Sequence, residues 1–449
     1  MKKSLFSFNR KFLPAVSIVC ILIGSGSLSC RKSNDPFRES APPAFFSSDV
    51  LDKWLTLQVR LYKNAKGIGN GAFARPFAYS GITAFESLGQ DDNSLQSNLN
   101  GLSTLPKPER FKSYFWPASV NAALAEFNRS FFTSVNLTPT DLSAIDSLEA
   151  AVNSSFVAEN SSVIDRSVTF GKSIADDIYA WSQTDKYNED NAMTYTLLIG
   201  PGLWQITPPV SAPAGPFWGN DRPIISGSQK GTLPDPPLSY SEDPNSAFYK
   251  MANDVYAASQ VLTDDQKAMA IFWRDAPGVT TPGHWMSILQ QVIKQTGSRL
   301  DKACFAYALV GICTNEARIS VFETKYTYVL IRPITYIQHT IPNASTWLPL
   351  INTPEHPEYI SAHSVLSSAA SQGLAEAFGD IGSFTDHTYD YMGLAPRTFQ
   401  NFQAIATEAG NSRFYGGIHY QPSIDLGLKE GKKVAANILN KLGLNGINK

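Results

Sequence analysis

All six histidines of this 449-residue chain lie in its last two-fifths, interleaved with three short patches that share one chemical logic. The first runs from Lys325 to Pro333 and carries Lys325 and Arg332. The second runs from Pro357 to His363 and ends in Ser361-Ala362-His363. The third runs from Ser412 to His419 and carries Arg413, the pair Gly416-Gly417, and His419. Together they supply three fixed cations, two imidazoles and a helix start with free amides. A tetrahedral oxyanion such as phosphate or vanadate calls for that set: charge balance, hydrogen-bond donors and groups that can move a proton or attack.

Helices must position these groups. Lys325 and Arg332 are almost two helical turns apart, which predicts that both point from one face. Pro333 disfavours helical geometry at the residue before it, so Arg332 is expected as the last helical residue. Ser361 is a good N-cap for a helix running on through Val365, Leu366, Ala369 and Leu374. The amide of Ala362 and the ring of His363 would then face whatever sits at that helix start. Gly410 reads as a helix C-terminus just before Arg413. Gly416-Gly417 then bends the chain to deliver His419 to the entry of a last helix, opened by Pro422. Each patch has an ordinary reading when taken singly: a solvated cation at a helix end, a capped helix with a surface histidine, a structural histidine after a glycine pair. Their combination points to an oxyanion site.

The patterns Lys-x6-Arg-Pro, Ser-Ala-His and Ser-Arg-x5-His, in this order, resemble the superfamily of vanadium-dependent haloperoxidases and type-2 phosphatidic acid phosphatases. Upstream, Gly200 to Pro209, Phe217-Trp218-Gly219, Arg222-Pro223, Phe272-Trp273 and Pro277 to Trp285 resemble segments of the soluble bacterial haloperoxidase branch. The likeness covers residues 195 to 442. It implies that Lys325, Arg332 and Arg413 neutralise an oxyanion's equatorial oxygens, with the Ser361 hydroxyl and the Ala362 amide. It makes His419 the vanadate ligand of a haloperoxidase or the phosphohistidine nucleophile of a phosphatase, and His363 the acid–base group opposite. His356, seven before His363, stands where the resemblance places a residue tied to halide choice, and favours bromide or iodide over chloride. The implied cofactor is vanadate, with halide and hydrogen peroxide as substrates; a phosphatase acting on a phosphomonoester would need none.

Three departures from the family pattern stand out. Ala362 replaces a commoner Gly, Ile360 replaces a frequent Pro, and Ser423 stands four residues after His419 where many members carry an orienting Asp. A hydroxyl holds a histidine tautomer less firmly than a carboxylate does. Asp425 is a poor angular match on a helix, so any substitute carboxylate comes from elsewhere.

The rest of the chain reads as helix. Periodicity and capping signals predict helices near 49–64 with Ser48 as cap, 72–89, 117–133, 138–155, 160–183, 245–261, 263–274, 283–297, 300–328, 361–378, 396–409 and 422–442. The fold class is all-α: a helical bundle of the vanadium haloperoxidase and acid phosphatase type. Residues 185–244 are rich in Pro and Gly and lack periodicity; Trp204, Phe217, Trp218 and Ile224 there argue for packing over the bundle. Residues 43–184 and 245–449 read as two helical halves, the second carrying the oxyanion site.

The first thirty residues have a lipoprotein-type signal layout, with basic residues, a short apolar run and small residues up to Cys30 as the lipidation site. Residues 31–42 read as a polar tether to a membrane of the bacterial cell envelope. Cys304 and Cys313 would lie roughly 13 Å apart along one helix, too far to bridge. The net charge of −2, with scattered basic residues, excludes a nucleic-acid surface. His284 reads as a packed histidine bonding backbone, and His339 and His387 as helix-end and loop residues. A lipid-anchored glycan-binding protein, or a catalytically degenerate relative, is the competing reading.

Overall fold

The computed structural model describes residues 40–90, 95–133, 136–209, 211–274 and 279–444. The signal segment, Cys30 and residues 31–39 of the tether lie outside the described residues. In chain order the helices are α1 (Asp49–Asn64), α2 (Ala74–Glu86), α3 (Trp116–Phe131), α4 (Pro139–Asn153), α5 (Ser161–Ser182), α6 (Tyr187–Ala192) and α7 (Ala247–Ser259). They continue with α8 (Asp264–Phe272), α9 (Thr281–Thr296), α10 (Leu300–Tyr328), α11 (Pro333–Thr340), α12 (Ala362–Phe378), α13 (Phe402–Tyr415) and α14 (Gln421–Lys441). A short antiparallel ribbon pairs β1 (Phe384–Asp386) with β2 (Arg397–Phe399). The fold is all-α, as expected.

Local chemistry explains most boundaries. The Thr138 hydroxyl caps α4 with Pro139 at its first position. Thr263 and Gln266 form a complete capping box on α8. Ser48 does not cap α1 with its side chain; the acidic Asp49 and Asp52 of the first turn supply the favourable charge instead. The helix expected over 396–409 is displaced. Residues 397–399 form β2, where Thr398 bonds Thr385 across the ribbon at 2.9 Å, and Asn401 caps α13 by accepting from the Ala404 amide at 2.9 Å.

Helix α10 is the axis of the molecule. It is buried on every side over most of its length, which marks a helix surrounded by protein. It packs on α2 and α12, and α12 packs in turn on α13 and α14. The approach to α2 leaves no room for side chains at Gly81 and Gly311. A Cβ at Gly311 would stand 2.8 Å from the Ala78 Cα, and one at Gly81 would stand 2.7 Å from the Tyr307 carbonyl oxygen.

Polar residues on this apolar helix hold the irregular segment 185–244. The buried Glu316 carboxylate accepts from the Ile224 amide at 2.6 Å and from Ser228. Arg318 pairs with Asp221 at 2.7 Å, both nearly inaccessible. Trp218 packs on Phe322 with ring centroids 4.6 Å apart. Tyr326 and Tyr328 donate to the carbonyls of Ala214 and Pro234 at 2.6 and 2.7 Å. Trp204 and Ile224 are buried, so the segment packs over the bundle. Cys304 and Cys313 are buried and unpaired, and burial pushes both thiols well above their ordinary range. No described helix is long and apolar enough to cross a membrane.

Candidate active site

The first patch differs from its expected geometry. Helix α10 ends at Tyr328, where Val329 takes a left-handed conformation with φ 46°. The chain then leaves the helix, and Leu330 bridges Leu203 of the irregular segment. Arg332 is therefore the N-cap of α11, not the last residue of α10. Pro333 acts here as a helix opener, the role proline plays at a first helical position. Lys325 and Arg332 still converge. The buried Lys325 ammonium donates to the carbonyls of Pro357, Glu358 and Ile360 at 2.9, 3.0 and 2.5 Å. The Arg332 Nε donates to the His356 carbonyl at 2.9 Å, and its two terminal nitrogens lie 3.1 Å from His419 Nε2 and 3.0 Å from His356 Nδ1.

Ser361 caps α12, its hydroxyl accepting from the Ser364 amide at 3.3 Å. In the first turn of that helix lies His363, whose Nε2 is 3.0 Å from the Trp273 carbonyl, 3.2 Å from the Thr281 hydroxyl and 3.1 Å from Arg413. The carbonyl favours a proton on that nitrogen and the Arg413 donor favours a lone pair there, so the ring sits between groups of opposite demand. Arg413 donates to the same Trp273 carbonyl. Gly410 does not end a helix; it sits inside α13, where a Cβ would meet the Ser364 hydroxyl at 3.0 Å. The chain turns at Gly417 with φ 78°, a conformation glycine adopts without strain. His419 follows at the mouth of α14, with Pro422 in its first turn.

The group that orients His419 is Glu358. Its Oε1 is 2.8 Å from His419 Nδ1 and accepts from the Tyr420 amide at 3.0 Å; its Oε2 accepts from the Ser423 hydroxyl at 2.6 Å. Ser423 thus acts through a carboxylate on the neighbouring patch. Asp425 is not involved and bonds Gln421 at 2.9 Å. The sequence held a signal for Glu358, a carboxylate two residues after His356 in the second patch, but nothing in the spacing aimed it at His419.

Electrostatics suit an anion. Burial, then the Arg332, Lys325 and Arg413 charges, hold His419 well below the usual histidine range, so the ring is neutral. With its Nδ1 proton on Glu358, it presents the Nε2 lone pair. Burial and the Lys325 and Arg332 charges do the same to His356. Burial pushes the Glu358 carboxyl up, while Ser423, the Tyr420 amide and the Arg332 and Lys325 charges pull it back. Burial, then Arg332, hold Lys325 well below its ordinary value. Among the described residues neither Lys325 nor Arg332 makes a direct ion pair, so their charge asks for an anion.

A cavity of about 390 Å³ opens on this cluster, walled by His356, Ala362, His363, Arg413 and His419. Lys325, Arg332 and Ser361 lie fully buried behind that wall. His284 does not bond backbone; its Nε2 meets the buried Asp386 carboxylate at 2.7 Å, and its ring stacks on Trp273. That pair buttresses the residue whose carbonyl holds Arg413 and His363. His339 and His387 are exposed and pair with Glu242 and Asp390. No cluster of metal-binding side chains occurs among the described residues.

The chain matches, over residues 305–444, the family described as the VCPO second helical-bundle domain. It is 32% identical to a bacterial vanadium-dependent iodoperoxidase of known structure, covering 89% of this chain and 98% of that one with a TM-score of 0.80. The chain belongs to the vanadium-dependent haloperoxidase superfamily. The fold extends to a bacterial vanadium-dependent chloroperoxidase in its holo form, at 16% identity over 84% of this chain and 93% of that one, TM-score 0.63. The apo form of such a chloroperoxidase matches at 14% identity over 84% and 95%, TM-score 0.61. None of the curated proteins matches the chain in sequence. The cationic pocket of this haloperoxidase-like enzyme lies at the junction of α10, α11, α12, α13 and α14.

Proposed function

We propose that this protein is a vanadate-dependent haloperoxidase that oxidises iodide or bromide with hydrogen peroxide. The observation that carries this reading is a neutral His419, pinned at Nδ1 by Glu358, whose Nε2 meets a buried cation. That donor set fits vanadate: a lone pair for the metal and Lys325, Arg332 and Arg413 for the oxyanion charge. Ser361 and the Ala362 amide would add hydrogen bonds. When bound, vanadate would activate peroxide as a two-electron oxidant of halide.

The chain's own residues do the rest. Glu358 fixes the His419 tautomer and supports charge donation through the ring. Arg332 and Arg413 are preorganised by main-chain acceptors, so they hold an oxyanion without a reorganisation cost. His363, beside Arg413, can pass a proton to a departing oxygen and take one from an arriving peroxide. His356, neutral and packed on Phe322, offers a polar, polarisable wall for a large halide. This wall and the likeness to an iodoperoxidase support iodide and bromide over chloride.

A phosphomonoesterase would use the same neutral His419 as nucleophile. Adding orthovanadate to purified apoprotein separates the two. A haloperoxidase retains vanadium and gains peroxide-dependent iodination; a phosphatase is inhibited and gains none. Arg413→Ala should lower halide oxidation at least ~100-fold, and His419→Ala should end vanadium retention. Full turnover in Arg413→Ala would overturn the assignment. Export and lipid attachment at Cys30 belong to the same proposal on the sequence pattern; the intact mass of membrane-extracted protein tests them.

A further inference from the structure

The cavity in front of His363 and His419 is larger than one oxyanion requires. At about 390 Å³ it has room for on the order of a dozen waters at ~30 Å³ each. Arg274 and Thr353, in its wall, each carry a buried polar atom, Nε and Oγ1, without a hydrogen-bond partner among the described residues. Arg274 follows Trp273, whose carbonyl holds Arg413 and His363, so its place beside the oxyanion site is fixed by the main chain. Two buried arginines elsewhere each meet a carboxylate: Arg75 meets Asp185 at 2.6 Å and Arg318 meets Asp221 at 2.7 Å. Arg274 makes no ion pair among the described residues, although Glu355 lines the same cavity.

Leaving such donors unpaired forfeits the hydrogen bonds they would make to water. A guanidinium edge, Nε with a terminal nitrogen, matches the two oxygens of a carboxylate, and a hydroxyl can donate to one of them. A halide ion would meet a single donor direction and has no use for carbon-lined walls. Those walls are present: Trp218, Phe322, Leu350 and Leu366 line the same space. We propose that Arg274 and Thr353 form a second anion-binding subsite, which takes the carboxylate of a small organic acid with an apolar or aromatic skeleton. The acid lies beside the oxyanion site, where oxidised halide would reach it first. Its role as acceptor rests on the haloperoxidase reading; its binding does not.

Calorimetric titration of 4-hydroxybenzoate into the whole protein, after the oxyanion site has been filled with orthovanadate, tests the proposal. The uncharged 4-hydroxybenzamide is the comparison. The acid should bind at least about tenfold more tightly than the amide. Arg274→Gln and Thr353→Val should each reduce that preference while melting as cooperatively as wild type. Arg274→Lys should restore part of it, and serves if Arg274→Gln does not fold. Equal binding of acid and amide would overturn the proposal. So would loss of acid binding on adding vanadate, which would place the carboxylate in the oxyanion site. If orthovanadate itself is not retained, the haloperoxidase reading falls, and the acid–amide comparison without it still decides the subsite.

Discussion

Glu358 is the residue on which the chemistry of His419 turns. It accepts from the ring, from the Tyr420 amide and from Ser423, so an amide in its place loses the charge and must turn a donor toward one of three donors. Glu358→Gln should weaken vanadate binding about 10–100-fold, read by titrating vanadate into apoprotein; unchanged affinity would show that the carboxylate is dispensable. Ser423→Asp, which sequence alone suggests as a repair, should instead lower activity. It would set a second carboxylate against Glu358, 2.6 Å from the present hydroxyl. Steady-state iodide oxidation checks this. The three cations and two histidines were legible in the sequence because each sits in a short motif with its own spacing. Glu358 was not, because its link to His419 crosses from one patch to another, and only packing of the 357–360 turn on α14 makes it.

At the scale of elements, the sequence predicted most helices from periodicity and caps, and missed where turns act. It placed a helix at 300–328, as found, but read Pro333 as a stop that made Arg332 a last helical residue. Val329 ends the helix earlier, and Pro333 begins α11. The short α6 has no periodicity to read. Nor did the sequence show why polar residues interrupt α10: Glu316 and Arg318 face the irregular segment, not solvent. Removing one partner leaves the other buried and unpaired. Arg318→Met should therefore cost about 3–5 kcal/mol of stability, measured by urea unfolding. A loss under about 1 kcal/mol would mean that water replaces the pair. Because Trp218 and Phe322 border the cavity, the same variant should also raise the KM for iodide.

The whole molecule carries a pH signature in a buried group that does not line the pocket. Glu430, on α14, accepts from Ser320 at 2.8 Å, and its second oxygen is buried without a partner among the described residues. Burial pushes its carboxyl up to about 8. The folded state therefore keeps a proton that the unfolded chain releases in the ordinary carboxylate range. Stability from this group is full below that range and is lost as pH rises toward 8. The melting temperature should fall between about pH 5 and pH 8, and Glu430→Gln should flatten that slope; an identical slope in the variant would assign it to other groups.

The Lys325 ammonium gives all three of its protons to the turn that bears His356, Glu358 and Ser361. The charge that greets the anion is thus also a clasp on the residues that orient its ligand and flank its halide. A change at Lys325 loosens both at once, so its effect and that of Glu358→Gln will not add as independent losses do. Selection acting on affinity at this lysine also acts on the shape of the pocket.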